Sequence, residues 1–136
     1  MPEVLKSEKM AISIERDLVA VRRQIWQHAV EIGLNILGVT KFVTASSELA
    51  RNMVDYAGGG VISIEQLQDG PKKGIRVIFK DEGPGIADIE QALQDGFSTG
   101  NSLGLGLSGC RRLVSEFEIN SGLDKGTEVT ITEWNI

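Results

Sequence analysis

Glu48 and Asn52 stand four residues apart in the run SELARN. On a helix that spacing projects both side chains from one side. At about 100° per residue, Phe42, Ala45, Leu49, Ala50, Met53 and Val54 fill an apolar arc, with Glu48 and Asn52 at its edge. A carboxylate and an amide at a half-dry boundary suit a metal ligand or a general base. The same placement also describes an ordinary helix edge carrying two solvated polar groups. Asp81 is a second candidate, because it closes an apolar strand in KDEGPGI, with Gly83 and Gly85 on either side of Pro84. A strand-end carboxylate can accept hydrogen bonds from a planar amine while bare backbone lies close to a ligand. Asp, Gly and Pro also build plain turns. The third candidate is FSTGNSLGLGLSG, where Gly104, Gly106 and Gly109 lead directly into CRRLVSEF. Glycine weakens a helix interior, so this density implies a need for bare backbone. Backbone N–H groups ahead of a helix can face an anion, aided by the positive helix end; a flexible loop without a ligand is the alternative. No G-x-x-x-x-G-K-[ST] loop occurs, and the glycines do not follow a strand as in a dinucleotide fold.

These groups need elements to hold them. Residues 1–9 read as a loose polar end. MAISIE alternates, with Ile12 and Ile14 on one face, and predicts a first strand. Leu18, Val21, Ile25, Ala29 and Ile32 recur at steps of three and four, which predicts an amphipathic helix ending near Gly33. A second helix is expected from about Lys41 to Tyr56. Two strands follow, joined by a turn at DGPKKG, with Ile75, Val77 and Phe79 sharing a face of the second. DIEQALQDGF could form a short helix, and LSGCRRLVSEF reads as helical. FEINSG and GTEVTITEWNI close the chain as an antiparallel pair. The order predicts one α+β domain over 10–136, a two-layer sandwich with helices on one face of a mixed or antiparallel sheet.

Composition narrows the function classes. The chain has 136 residues, 41% of them apolar, enough for a real core. Its net charge of −5 argues against a general nucleic-acid binder. No apolar run approaches a membrane span, and the first ten residues lack the apolar core of an export signal. One cysteine, Cys110, excludes an internal disulfide. A reducing cytoplasm is the expected location, with Cys110 as a small packing residue of a helix.

Taken together, ELARN (48–52), DEGPG (81–85), LGLGL (103–107) and GTEV (126–129) resemble, in type and order, the GHKL ATPase superfamily of gyrase, Hsp90, histidine-kinase and MutL nucleotide domains. SELARN, DGFSTGNSLGLGLSG and EFEINSGLDKGTEV further resemble the small serine/threonine kinases of partner-switching systems, with the anti-sigma kinases as sister group. This closer resemblance covers about residues 10–134 and implies the Bergerat fold, ATP and Mg²⁺. It implies that Glu48 is the general base and that Asn52 holds Mg²⁺. Asp81 would receive the adenine amino group, supported by Thr127. Gly83 and Gly85 would admit the base, and Gly104, Leu105 and Gly106 would offer N–H groups to the phosphates. A lid would run from about residue 88 to 102, carrying Gly96 and Gly100.

The implied activity is phosphorylation of a STAS-domain antagonist of a stressosome. Release would then allow binding of a downstream effector, a phosphatase or other output protein, with no nucleic acid or membrane as partner. An anti-sigma kinase, or a nucleotide-binding adaptor without catalysis, shares the same pocket. The chain departs from many relatives at Ser102, where they carry another glycine. It also lacks a lid lysine or arginine suited to the γ-phosphate. Arg51 is the nearest substitute, although its angle points toward solvent. His28 reads as a structural residue of the first helix rather than a phosphoacceptor.

Overall fold

The computed structural model describes residues 2–85, 106–122 and 125–135. Five strands, β1 (Glu3–Ile12), β2 (Gly60–Asp69), β3 (Lys72–Asp81), β4 (Glu116–Ser121) and β5 (Thr127–Trp134), form one sheet in the order β1-β2-β3-β5-β4. Every neighbouring pair is antiparallel. Three helices are described: α1 (Asp17–Glu31), α2 (Ile36–Ala57) and α3 (Gly106–Leu113). The α+β class and the helix-covered sheet are as the sequence predicts, with the sheet antiparallel throughout.

The core lies between the layers. Alternation along the strands buries Ile62 and Ile64 of β2, Ile75, Val77 and Phe79 of β3, and Val129 and Ile131 of β5. Against them pack Leu18, Val21, Ile25 and Ala29 of α1 and Phe42, Ala45, Leu49 and Met53 of α2. The five apolar positions predicted for the first helix are all buried, and the turn after it uses Gly33 at φ 90°. Asp69 and Lys72 pair across the predicted β2–β3 turn.

Three boundaries differ from the sequence reading. The N-terminal stretch expected to be loose over 1–9 is part of β1 from Glu3, paired in register with β2. Its side chains are mostly polar because β1 is an edge strand; pairing comes from its backbone, so no apolar pattern announces it. The strand also stops at Ile12, leaving Ile14 exposed. There the Asp17 carboxylate accepts hydrogen bonds from the Ser13 and Ile14 N–H groups at 2.9 and 3.2 Å, turning the chain into α1. Those bonds hold the Asp17 carboxyl below its ordinary range. The second helix starts at Ile36 rather than Lys41, because Asn35 caps it by accepting from the Gly38 N–H at 2.8 Å.

His28 is buried with both ring nitrogens engaged. Nε2 lies 2.8 Å from Glu8 Oε1 of β1, and Nδ1 lies 2.8 Å from Gln66 Nε2 of β2. The ring ties the edge strand to the helix layer, the structural role expected of it.

Candidate functional site

α2 brings the first candidate pair to the interior. Glu48 is only 8% exposed, and Asn52 is half-buried one turn later. Asn52 Oδ1 has no hydrogen-bond partner among the described residues although solvent does not reach it. Such an orphaned acceptor is costly, by about 1–3 kcal/mol, unless a ligand satisfies it. Glu48 faces α3: burial, and secondarily the Glu48 charge, push the Cys110 thiol up to about 12. Cys110 is fully buried and its Sγ lies 3.7 Å from the Ala45 carbonyl oxygen, so it packs α3 on α2 as expected.

The end of α2 meets the end of β3. Gly58 closes the helix at φ 73°. At Gly60 a Cβ would lie 2.4 Å from both Met53 Cε and the Lys80 carbonyl oxygen, so bare backbone lets the helix cross β3 beside Asp81. Asp81 Oδ1 accepts from the Gly83 N–H at 2.9 Å and the Thr127 N–H at 3.2 Å. Its Oδ2 has no partner among the described residues. Asp81 and Thr127 are direct register partners of β3 and β5, and Thr127 Oγ1 sits 2.8 Å from Ser121 Oγ of β4. The structure therefore brings together Asp81 and Thr127, which lie 46 positions apart in the chain.

Gly83 and Gly85 serve the protein's own packing at the described contacts. A Cβ at Gly83 would stand 2.6 Å from the Ala57 Cβ, and one at Gly85, where φ is 76°, would stand 1.9 Å from the Gly122 carbonyl oxygen. Gly126 is a positioning residue that the motif contained without being singled out: at φ 75°, its missing Cβ leaves room for the Asp81 carbonyl oxygen, 2.3 Å away. Ser121 is another, and only its place before the β4–β5 turn marked it. Gly106 opens α3 at φ 60°. Gly104, Leu105 and the expected lid with Ser102 lie outside the described residues, as does the short helix expected at DIEQALQDGF. Arg51 is committed elsewhere: its Nη1 pairs with Glu15 at 3.2 Å.

The donor set fits a magnesium nucleotide. Among the described residues no cluster of three or more His, Cys, Asp or Glu side chains could cage a metal alone. Mg²⁺ keeps water and takes substrate phosphates for most of its shell, needing only one or two protein oxygens. Asn52 Oδ1, without a hydrogen-bond partner among the described residues, could supply one. No described helix is long and apolar enough to cross a membrane.

The family model for histidine kinase-, DNA gyrase B- and HSP90-like ATPases matches residues 39–134. The chain is 46% identical to the serine/threonine-protein kinase RsbT of Bacillus subtilis, over 90% of this chain and 92% of that one. It is 33% identical to an anti-sigma F factor of Thermoanaerobacter, over 78% of this chain and 77% of that one. Among solved structures, the RsbU and RsbW domains of a Mycobacterium tuberculosis protein superpose with a TM-score of 0.60 at 24% identity; the match covers 93% of this chain and 32% of that longer one.

Proposed function

The chain belongs to the histidine kinase-, DNA gyrase B- and HSP90-like ATPase family, and from that premise we propose that it is an ATP- and Mg²⁺-dependent serine/threonine protein kinase of a cytoplasmic partner-switching module. Its substrate is a STAS-domain antagonist of a stressosome; once released, the kinase activates a downstream effector such as a phosphatase. The observation carrying this reading is the buried Glu48 carboxylate one helical turn before the orphaned Asn52 oxygen. The similarity to RsbT supports the partner class.

The roles follow from the residues. Asp81 receives the adenine amino group on Oδ2, while Oδ1 stays held by the Gly83 and Thr127 N–H groups. Asn52 Oδ1 would hold Mg²⁺, which when bound would neutralise charge on the phosphates. Gly104, Leu105 and Gly106 offer N–H groups to the same phosphates. Glu48 accepts the proton of the substrate hydroxyl. That oxygen forms a bond to the γ-phosphorus, and the bond from the γ-phosphorus to the ADP oxygen breaks, so ADP leaves. Burial of Glu48 keeps bulk water away from the proton transfer.

Phosphotransfer to a STAS-domain protein in Mg-ATP tests the reading. Wild type should label the partner on serine or threonine, and Glu48→Ala should reduce the rate by roughly 10²–10⁴-fold while still binding nucleotide. Binding without transfer by wild type would instead support a nucleotide-binding adaptor. The anti-sigma F relatives motivate a second reading, an anti-sigma kinase with the same pocket. Co-purification of a sigma subunit in stoichiometric amounts would favour it.

A further inference from the structure

Three polar side chains stand in one row across the sheet. Asp81 of β3 is the register partner of Thr127 of β5, and Thr127 is the register partner of Ser121 of β4. Side chains alternate along a strand, so each shares its face with the residues two and four positions away. For Asp81 these are Phe79 and Val77, and for Thr127 they are Val129 and Ile131, all buried. For Ser121 they are Ile119 and Phe117, which pack against the same core. The row therefore lies on the helix side of the sheet, at the end where Gly83 meets Ala57 of α2. Within the row the hydroxyl protons can be assigned. Ser121 Oγ lies 2.8 Å from the Gly126 carbonyl oxygen and 2.8 Å from Thr127 Oγ1. A carbonyl oxygen cannot donate, so the Ser121 proton goes to Gly126. Gly126 is fixed in turn, at φ 75° and packed on the Asp81 backbone. Toward Thr127, Ser121 Oγ can then only accept. The Thr127 proton is committed to Ser121, and what Thr127 Oγ1 keeps for a ligand is lone pairs.

We propose that Ser121 is a positioning residue that sets base specificity. By holding the Thr127 hydroxyl as an acceptor, it selects a purine with a 6-amino group over one with a 6-oxo group. The inference rests on the nucleotide reading and adds a residue that fixes which base is taken. Asp81 Oδ1 already receives the Gly83 and Thr127 N–H groups, the bonds of an acceptor. The base edge therefore meets acceptors from both residues. A 6-amino group donates to them. A 6-oxo group is itself an acceptor and would stand lone pair against lone pair, a mismatch that a site closed to water penalises. Without Ser121 the Thr127 hydroxyl could rotate and donate to that oxygen, and the discrimination would shrink. A brace for the β4–β5 turn would need only the bond from Ser121 to Gly126. The second bond engages the one hydroxyl in the row beside Asp81, which is what a proton lock requires. The Thr127 N–H donates to Asp81 at 3.2 Å, so the lock and the carboxylate form one unit.

Calorimetric titration of the full chain with the magnesium complexes of ATP and inosine triphosphate tests the proposal. Inosine triphosphate carries the 6-oxo group without the 2-amino group of guanine, so the comparison isolates the 6-position and the ring nitrogen beside it. Wild type should bind ATP more tightly than inosine triphosphate. Ser121→Ala should lower that ratio by about tenfold, through weaker ATP binding, stronger inosine triphosphate binding or both. Ser121→Thr keeps the hydroxyl and should keep the wild-type ratio. Ser121→Val matches Ser121→Thr in shape, lacks the hydroxyl and suits a strand equally well, so this pair carries the test if Ser121→Ala does not fold. The proposal is overturned if Ser121→Ala weakens both nucleotides by one factor, the signature of a turn brace. It is equally overturned if Ser121→Thr and Ser121→Val give the same ratio, or if wild type binds the two nucleotides equally. Each of those results leaves ATP binding, and with it the nucleotide reading, in place. Wild type that binds neither nucleotide overturns both together.

Discussion

The two ends of α2 are built on opposite plans. The helix has 22 residues, roughly 33 Å at 1.5 Å per residue, and its ends define two separate regions. Toward its C-terminus the apolar contacts are complete: Leu49, Ala50 and Met53 are buried, and the backbones of Gly60 and Gly83 close against Met53 and Ala57. There the unsatisfied group is polar, Asn52 Oδ1, and the Asp81 carboxylate stands at the end of β3, the next motif in sequence order. At its N-terminus the polar contacts are complete, through the Asn35 cap, the Asn135 amide on the Ile32 carbonyl oxygen and the Glu133 bond to Ser115, while Ile36 and Leu37 stay in water. A small, highly charged ligand is held by oriented polar atoms in a tight frame. A protein partner is held by apolar area with charge at its rim. One helix thus joins an end that leaves a polar atom unpartnered with an end that leaves apolar area in water.

The comparison breaks first if the frame at the C-terminal end is not essential. Gly85 is the sharpest test, since φ is 76° and a Cβ would lie 1.9 Å from a backbone carbonyl oxygen that no rotamer change can move. Gly85→Ala should cost on the order of 3 kcal/mol of stability and also weaken nucleotide binding, read by thermal unfolding with and without Mg-ATP. A variant with wild-type unfolding temperature and affinity would show that the loop and the β4–β5 turn are independent of one another.

Asp81→Asn comes next. The amide keeps an oxygen acceptor for the Gly83 and Thr127 N–H groups, so the fold should survive. The change removes the charge at Oδ2. Nucleotide affinity should fall by roughly 10–100-fold, the usual worth of a hydrogen bond to a charged group. Calorimetric titration with Mg-ATP checks this. Unchanged affinity would remove Asp81 from the adenine contact.

These two tests also mark where the sequence was legible. The spacing of Leu18, Val21, Ile25, Ala29 and Ile32 located α1, and the alternation of Ile75, Val77 and Phe79 located β3, because burial imposes a period on side-chain type. The motif residues were legible in kind, as carboxylate, amide and bare backbone. Their assembly was not. Asp81 and Thr127 meet because β3 and β5 pair in one particular register, which no local pattern encodes. β1 was hidden from Glu3 to Lys9 because an edge strand is held by its backbone and can carry polar side chains on both faces. The start of α2 was hidden because its first turn shows water the apolar residues a core-seeking pattern expects to be buried. The glycines at 83 and 85 were read as room for a ligand; at the described contacts the protein itself fills that room.

A smaller effect sharpens the link between α2 and α3. Burial first, and the Glu48 charge second, raise the Cys110 thiol from its ordinary 9.0 to about 12. The folded form therefore resists deprotonation more than the unfolded form. Its contribution to stability is fully present below pH 9 and is lost as pH rises from 9 toward 12. Glu48→Gln should shift the ultraviolet titration of the Cys110 thiolate to lower pH, by a minority of the total displacement because burial is the larger cause. Glu15→Gln, altering an exposed carboxylate paired with Arg51, should leave it in place. Equal titration curves for wild type and Glu48→Gln would separate the proposed base from α3.

The smallest effect is the most specific to the N-terminal end. If Ile36 and Leu37 contributed to the fold, replacing them with serine would remove buried apolar area and destabilise the chain by about 1.5–3 kcal/mol each. They are 71% and 60% exposed, so most of that area is in water in the folded state. Serine also lowers helix propensity by a few tenths of a kcal/mol, and the Asn35 cap on the Gly38 N–H does not depend on either side chain. Ile36→Ser and Leu37→Ser should each change unfolding free energy by no more than about 0.5 kcal/mol, measured by urea denaturation, with Mg-ATP affinity unchanged. A loss of 2 kcal/mol or more would place these side chains in the core and dissolve the contrast between the two ends. A negligible loss leaves two large apolar residues whose presence the isolated fold does not require.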